Sequence, residues 1–138
     1  MLRSTYSVGP FKKDISLRID SLQNGKIVDA LLLINWSWKK NNYMLAVDLV
    51  KSFVAAFAPS PDKQAYGDLS DALWNLRIPE FIDATRGKRA QESPLVDCLR
   101  AYMGLAETAS MKTDFANLSF QNRVLNEGPI QEIEFTLS

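Results

Sequence analysis

Histidine is absent from the 138 residues of this chain, and this limits the chemistry that its side chains can do. A Ser-His-Asp triad, a cysteine–histidine pair and a histidine-ligated zinc ion all need an imidazole, so none can form within the chain. The single cysteine, Cys98, cannot by itself build a thiolate metal site, and in an apolar helical segment it would pack as a small hydrophobic group. We therefore expect no metal, no cofactor and no catalytic site. An enzyme using carboxylate, lysine or tyrosine chemistry is the least favoured reading.

Two pairs of carboxylates have spacings that suit acid–base chemistry or a hard cation. Asp68 and Asp71 are three residues apart and would share one face of a helix. Both would also lie in a first helical turn, where negative charge complements the helix dipole, and this structural role is favoured. Glu132 and Glu134 share one face of a predicted strand, where we interpret them as solvent-side charges that discourage unwanted edge pairing.

The segment INWSWKKNNY, residues 34–43, concentrates aromatic and basic side chains. They are Trp36, Trp38, Lys39, Lys40 and Tyr43. In one interpretation the aromatic rings stack on nucleic-acid bases while the lysines hold phosphate. In a second, the tryptophans complete the core face of a strand and the lysines solvate the turn that follows, since aromatic residues are favoured in strands for packing alone. In a third, the aromatic side chains form a protein contact surface. Core packing is favoured, and the other two interpretations stay open.

A second basic cluster lies in the polar segment TRGKRAQES, residues 85–93. Arg86, Lys88 and Arg89 surround Gly87 there, and a flexible basic loop can bind phosphate through charge and exposed backbone N–H groups. The chain has 16 basic and 16 acidic residues, and this balance argues against general attraction to phosphate. Binding of RNA or single-stranded nucleic acid, through this loop and the Trp36–Tyr43 region, is therefore the alternative function.

Residues 14–38 predict a β-hairpin. Apolar residues alternate with polar ones in both halves, which is the pattern of half-buried strands. The alternating set is Ile15, Leu17 and Ile19, then Val28, Ala30, Leu32, Ile34, Trp36 and Trp38. Between the halves, Asn24 and Gly25 both tolerate the positive φ of a type I′ turn. A helix over about residues 26–34 is the competing interpretation.

Helical periodicity follows in the middle of the chain. Apolar residues at i, i+4 spacing predict a helix over 43–58, with Asn41 or Asn42 as its N-cap. The segment PSPD, residues 59–62, ends it because proline cannot continue the hydrogen-bond ladder.

Two more helices are expected before the chain returns to strands. One covers about residues 68–76 and is capped by Asp68. Ser93 followed by Pro94 is a strong helix start, with serine at the cap and proline at the first helical position. That helix has room to extend as far as Ala109.

Period-2 alternation returns near the end of the chain. Residues 115–125 predict a strand, 126–129 a turn and 130–137 a second strand. The order ββ–ααα–ββ indicates a single α+β domain over residues 1–138, with an antiparallel sheet built from N- and C-terminal hairpins and about three helices on one face. We expect the 130–137 strand to lie at a sheet edge, where unpaired backbone groups invite a second chain.

Composition favours an ordinary globular protein. The longest apolar stretch carries Asp48 and Lys51, which makes it too polar and too short to span a bilayer. With no secretory signal visible and no disulfide possible, we expect a cytoplasmic or otherwise intracellular protein. The predicted function is a non-catalytic protein-interaction or self-assembly module: a structural, adaptor or accessory subunit, of which a matrix-like protein of a virus or phage is one form. A homo-oligomer is expected because zero net charge offers little repulsion between copies.

Overall fold

The structure is a computed structural model that describes residues 1–7, 13–75, 93–126 and 128–138. Over these residues, six antiparallel strands form one sheet in the order β1-β2-β3-β6-β5-β4. The strands are β1 (Leu2–Ser7), β2 (Ile15–Ser21), β3 (Ile27–Asn35), β4 (Thr108–Lys112), β5 (Ala116–Leu125) and β6 (Gly128–Leu137). The predicted α+β class with an antiparallel sheet is thereby confirmed. Strands β1 and β4 were not among the predicted elements.

Between β3 and β4 the described residues form four α-helices and one short 3₁₀ turn. They are α1 (Trp36–Asn41), α2 (Tyr43–Phe57), the 3₁₀ turn Ser60–Asp62, α3 (Lys63–Asn75) and α4 (Pro94–Tyr102). The helices bury their apolar stripes against one face of the sheet. At the centre of this core, the rings of Phe53 in α2 and Tyr66 in α3 lie 5.9 Å and 5.0 Å from the ring of Phe135 in β6.

The β2–β3 hairpin exists, which excludes a helix over residues 26–34, but its turn differs from the predicted type. The Gly25 N–H donates to the Leu22 carbonyl at 2.9 Å, and the Leu22 N–H donates to the Lys26 carbonyl at 2.8 Å. Gly25 has a φ of 88°, whereas no described non-glycine residue has a positive φ. Asn24 therefore cannot occupy a type I′ turn. The pattern is that of a three-residue loop, a tight turn followed by a left-handed glycine.

Strand β3 ends earlier than the alternation predicts. The Asn35 side-chain oxygen accepts hydrogen bonds from the backbone N–H groups of Ser37 at 2.8 Å and Trp38 at 3.3 Å, which starts helix α1. The prediction that Trp36 and Trp38 share a strand face is therefore wrong, because both lie in α1. Asn42 does precede α2, as predicted, but its side chain makes no cap and instead donates to the Trp38 carbonyl at 3.0 Å.

Two other helix boundaries also differ from their predictions. Helix α3 begins at Lys63, so Asp68 lies inside it and is not its cap; the Asp68 carboxylate accepts from Gln64 Nε2 at 2.9 Å. The Ser93 side chain caps α4 as predicted, by accepting from the Val96 N–H at 3.1 Å. Helix α4 ends at Tyr102, well before Ala109, because the chain turns at Gly104 with a φ of 82°.

The C-terminal strand β6 lies inside the sheet. It pairs with β3 on one side and β5 on the other, so the expectation of an edge strand over residues 130–137 is wrong. The edges are β1 and β4. Glu132 and Glu134 consequently lie on an interior strand, on the face away from the helices, and have no role in blocking an edge.

A cluster of charged groups covers that outer face. The guanidinium of Arg18 lies 3.7 Å from a carboxylate oxygen of each of Asp20, Asp29 and Glu134. Burial, and then a hydrogen bond and charge repulsion from the neighbouring Asp29 carboxyl, raise the pKa of Glu134 to about 7, while Arg18 acts in the opposite direction. Two carboxyl groups that share one cation keep a proton more readily than either would alone.

The left-handed glycine of the β2–β3 turn gives a first prediction. Gly25→Val should lower the free energy of unfolding by about 1–3 kcal/mol, because a β-branched residue is strained at that φ. A Cβ at Gly25 would have no neighbour within 4 Å, so the effect would come from the backbone and not from a clash. Chemical denaturation measures it. Gly25→Asn is the matched control and should lose less, since asparagine tolerates this conformation. A valine variant as stable as the parent would contradict the turn geometry.

The Glu134 carboxyl predicts a pH dependence of stability. Its raised pKa means that the folded state keeps a proton that the unfolded chain releases, so this contribution is complete below about pH 4.5 and is lost as the pH rises through about 7. Denaturation across this range should show that Glu134→Gln flattens the fall in stability with rising pH. Glu132→Gln, on the same strand face beside Arg123 at 3.4 Å, is the control and should flatten the fall less, because Glu132 makes only the smallest contribution to the raised pKa of Glu134. Parallel curves for the parent and Glu134→Gln would refute the assignment.

Candidate functional site

Helix α1 turns the Trp36–Tyr43 region toward the end of α4. The Asn35 cap places Trp36 in the first turn of α1 and Lys39 three residues later, so that both side chains lie on one side of the helix. The Nζ atom of Lys39 lies 4.1 Å from the centre of the Trp36 ring and 3.4 Å from the centre of the Tyr102 ring. One lysine is thus enclosed by two aromatic faces.

The Lys39 amine is buried and fully engaged. Lys39 is 1% exposed, and its Nζ donates to Gln131 Oε1 at 2.6 Å and to the Tyr102 carbonyl. Burial lowers the pKa of Lys39 well below its ordinary value, while the oxygens and ring faces favour the charged form. An amine so enclosed has no open side from which to attack a substrate. Its position therefore serves the fold.

Two strand amides complete this buried polar cluster. Asn122 and Gln131 lie opposite each other on β5 and β6. The Gln131 amide donates to the carbonyls of Ala101 at 3.0 Å and Tyr102 at 3.2 Å, and the Asn122 amide donates to Ala101 at 2.9 Å. These carbonyls belong to the last turn of α4, where the regular helical donors are missing. The Gly104 N–H donates to the Ala101 carbonyl at 3.0 Å, and the side chains supply the other donors. The cluster therefore fixes the end of α4 against the sheet.

A groove of about 330 Å³ lies outside the polar cluster. It is lined by Trp36, Lys40, Met103, Gly104, Asn122 and Pro129. Trp36 Nε1 donates to Asn122 Oδ1 at 3.1 Å, which holds the ring in place. A Cβ at Gly104 would lie 3.2 Å from that ring, so glycine allows the chain to pass close to it.

Two exposed apolar side chains are neighbours of residues that line this groove. Val124, which pairs with Pro129 across β5 and β6, is 82% exposed, and Leu105, which follows Gly104, is 42% exposed. We call the set Trp36, Met103, Leu105, Val124 and Pro129 the Trp36 surface. Exposed apolar residues grouped in this way are typical of contact surfaces, whereas isolated ones need no explanation.

The structure separates the residues that the sequence grouped together. Trp38 and Lys39 lie in the interior, where neither can reach a base or a phosphate. Trp36 and Tyr43 are partly buried, and Lys40 is exposed at the groove. The predicted basic residues of the second cluster, Arg86, Lys88 and Arg89, lie outside the described residues.

Sequence reasoning missed Asn122 and Gln131, although a signal was present. Gln131 continues the alternation of Ile133 and Phe135, so it is a polar residue at a position that faces the core. Asn122 extends the β5 pattern in the same way. A buried polar residue must find a hydrogen-bond partner, and the partners here are the carbonyls of α4.

The remaining candidates for chemistry, a single cysteine and the carboxylates, are not arranged as a reactive site among the described residues. Cys98 is fully buried, and burial raises its pKa to about 12, so its thiol is unreactive. Among the residues that the structure describes, no group of three or more cysteine or carboxylate side chains is placed to hold a metal ion.

No family model, no curated protein and no solved structure matches this chain. In the described ranges, no helix is both long enough and apolar enough to cross a membrane.

The buried cluster predicts opposite outcomes for neighbouring lysines. Lys39→Met should lower the free energy of unfolding by about 1–3 kcal/mol, because it removes the buried donor to Gln131 Oε1 and leaves the Tyr102 carbonyl with the Gln131 amide alone. Lys40→Met, the control on the exposed side of α1, should change stability by no more than about 0.5 kcal/mol. Thermal or chemical denaturation compares the two. A Lys39→Met variant at least as stable as the parent would show that the cluster is dispensable.

Proposed function

We propose that this protein is a non-catalytic protein-binding module that contacts its partner through the Trp36 surface. The observation that carries the proposal is a partly exposed tryptophan, held by a hydrogen bond, beside a groove with exposed apolar side chains around it. Tryptophan is enriched among the residues that dominate binding energy, and such residues cluster in pockets surrounded by less critical contacts.

The rigidity of the Trp36 ring supports this role. Ordering a mobile side chain opposes association, so a ring already fixed by Asn122 and by close packing against Gly104 loses little freedom when a partner binds. The groove volume, about 330 Å³, is at the low end for small-molecule pockets and suits one or two apolar side chains of a partner.

Lys40 defines the chemistry expected of the partner. It lies at the rim of the groove, exposed to solvent, whereas the other lining residues are mainly apolar. Interfaces commonly combine an apolar centre with a polar rim. We therefore expect a peptide segment with an apolar anchor and a nearby acidic residue.

The enclosure of two potential nucleophiles among the described residues supports a non-catalytic role. Burial strongly alters the acidity of Lys39 and Cys98, and both side chains lie inside the protein. Each is enclosed by packing, and neither lines the groove.

The structure leaves only some of the described residues that were assigned to the alternative function, nucleic-acid binding, accessible to a ligand. Trp36, Tyr43 and Lys40 are at least partly accessible, whereas burial removes Trp38 and Lys39 from any stacking or phosphate contact. Single-stranded nucleic acid is usually bound along a continuous basic groove, whereas the described part of the Trp36–Tyr43 region offers one exposed lysine, Lys40.

Selection from a display library of random linear peptides tests the proposal. Peptides selected on the parent protein should converge on an apolar anchor and bind with dissociation constants in the micromolar range, measured by isothermal titration calorimetry. Val124→Asp should weaken binding at least about tenfold, because it places a charge at the edge of the apolar surface.

Phe115→Asp is the matched control for that selection. Phe115 is also exposed, but it lies before the opposite end of β5, about 30 Å along the strand from Val124, so this variant should bind as the parent does. Failure to obtain convergent peptides, or equal losses in the two variants, would reject the proposal. Tighter binding of single-stranded RNA than of any selected peptide, with a steep dependence on salt, would favour the alternative.

A further inference from the structure

Strand β1 is an edge strand whose six residues are all exposed. It pairs with β2 along its whole length, from Leu2 opposite Ser21 to Ser7 opposite Ser16. Its other side therefore presents backbone N–H and C=O groups along a full strand, with no proline to interrupt them. Such an edge is a template for pairing with another strand.

The opposite edge, β4, is better covered. It has five residues, helix α4 packs against it, and the Met111 carbonyl accepts a hydrogen bond from the Tyr66 hydroxyl at 3.1 Å. Strand β1 instead packs mainly against β2. Of the two edges, β1 is thus the one that the described residues leave open to a further strand.

We propose that two copies of this protein pair through β1, antiparallel and about a two-fold axis at Ser4, so that their sheets join into one. This inference goes beyond the Trp36 surface and does not depend on it. A two-fold contact requires a surface that complements itself. Strand β1 meets this requirement, because pairing about Ser4 places Leu2 of each copy opposite Tyr6 of the other, and a second copy is therefore the occupant that it fits.

The two-fold axis restricts the register. If the helices of both copies lie on the same side of the joined sheet, residues opposite each other must come from the same face of β1. One allowed register centres on Ser4 and places Leu2 opposite Tyr6 of the second copy. The next allowed register centres on Thr5 and places Tyr6 opposite Ser4 of the second copy.

The register centred on Ser4 brings apolar groups together twice. Leu2 is 57% exposed and Tyr6 is 53% exposed in the single chain, and each would cover the other across the axis. Pairs of aromatic and aliphatic side chains stabilise adjacent antiparallel strands. The register centred on Thr5 places Tyr6 opposite a serine and would place Leu2 opposite position 8, which lies outside the described residues. The pairing available within β1 therefore favours Ser4.

The charge on β1 is compatible with this contact. Arg3 would lie opposite Thr5 of the second copy, on the outer face. Its guanidinium already donates to both carboxylate oxygens of Asp20, at 2.8 Å and 3.1 Å. Each copy thus brings a neutralised arginine to the axis, and repulsion between the two is small.

The size of the contact predicts its strength. Stable interfaces use about 20–30 residues on each side, far more than a single strand of six residues supplies. We therefore expect a reversible dimer with a dissociation constant in the micromolar range or weaker, seen as a mass that rises with protein concentration.

Cysteine cross-linking tests the register. Under mild oxidation Ser4→Cys should form a disulfide-linked dimer, since directly opposite residues have Cβ atoms about 4.5–5.5 Å apart. Thr5→Cys should link more slowly, because its mate is a diagonal neighbour. Ser7→Cys is the matched control and should not link, because its mate lies about 20 Å away along the strand. Cys98 is fully buried, so the parent gives the background.

Light scattering over a concentration series, up to about 500 μM, tests the contact itself. Tyr6→Lys should raise the dissociation constant at least about tenfold, whereas Phe115→Lys, at an exposed aromatic residue elsewhere, should not. A monomer at every concentration overturns the proposal. A dimer that Tyr6→Lys leaves intact, or one that Thr5→Cys links faster than Ser4→Cys, overturns the assigned strand or register, respectively. Peptide binding at the Trp36 surface would be unaffected by either result.

Discussion

The carbonyl groups at the end of helix α4 need hydrogen-bond donors. The side chains that supply these donors come from α1, β5 and β6, and they hold those elements together at one end of the protein. Lys39 comes from α1, Asn122 from β5 and Gln131 from β6, and together they donate to the carbonyls of Ala101 and Tyr102. A buried carbonyl without a donor is costly, so these elements cannot separate without exposing or abandoning several polar groups at once. The last turn of α4 thus fixes the positions of α1 and of the β5–β6 hairpin.

The Trp36 surface is a consequence of that arrangement. Lys39 is drawn inward to the carbonyls, and Trp36, on the same side of α1, covers the lysine with its ring. The Asn122 amide nitrogen donates to the Ala101 carbonyl of α4, and its oxygen accepts from the Trp36 indole. One side chain thus connects the buried cluster to the exposed groove. A feature that we propose for binding is therefore held rigid by groups whose first role is structural.

The sequence was sufficient for the fold class but not for this site. Alternation along β2, β3 and β6 predicted the sheet because each strand buries one face, and the Ser93-Pro94 pair predicted the start of α4 because capping is local. The position of β6 inside the sheet could not be predicted, since it depends on pairing with β3, about a hundred residues earlier. The alternation of apolar residues continues past Asn35, but the Asn35 side chain caps a helix there. This cap ends β3 and places Trp36 and Trp38 on α1. The Lys39–Gln131 hydrogen bond spans 92 residues, and spacing along the chain carries no information about such a contact.

The two proposed contacts involve different parts of the molecule, and this affects what each would achieve. Strand β1 lies at one edge of the sheet, next to β2, whereas the Trp36 surface lies where α1, the end of α4 and the β5–β6 hairpin meet. Pairing through β1 would leave both Trp36 surfaces of a dimer open, since neither Leu2 nor Tyr6 lines the groove. Two weak sites on one dimer bind a partner with repeated segments more tightly than either site alone, because the second binding event occurs at a high effective concentration. Small contact areas are then compatible with firm assembly, and zero net charge, which keeps repulsion between copies low, favours the same outcome.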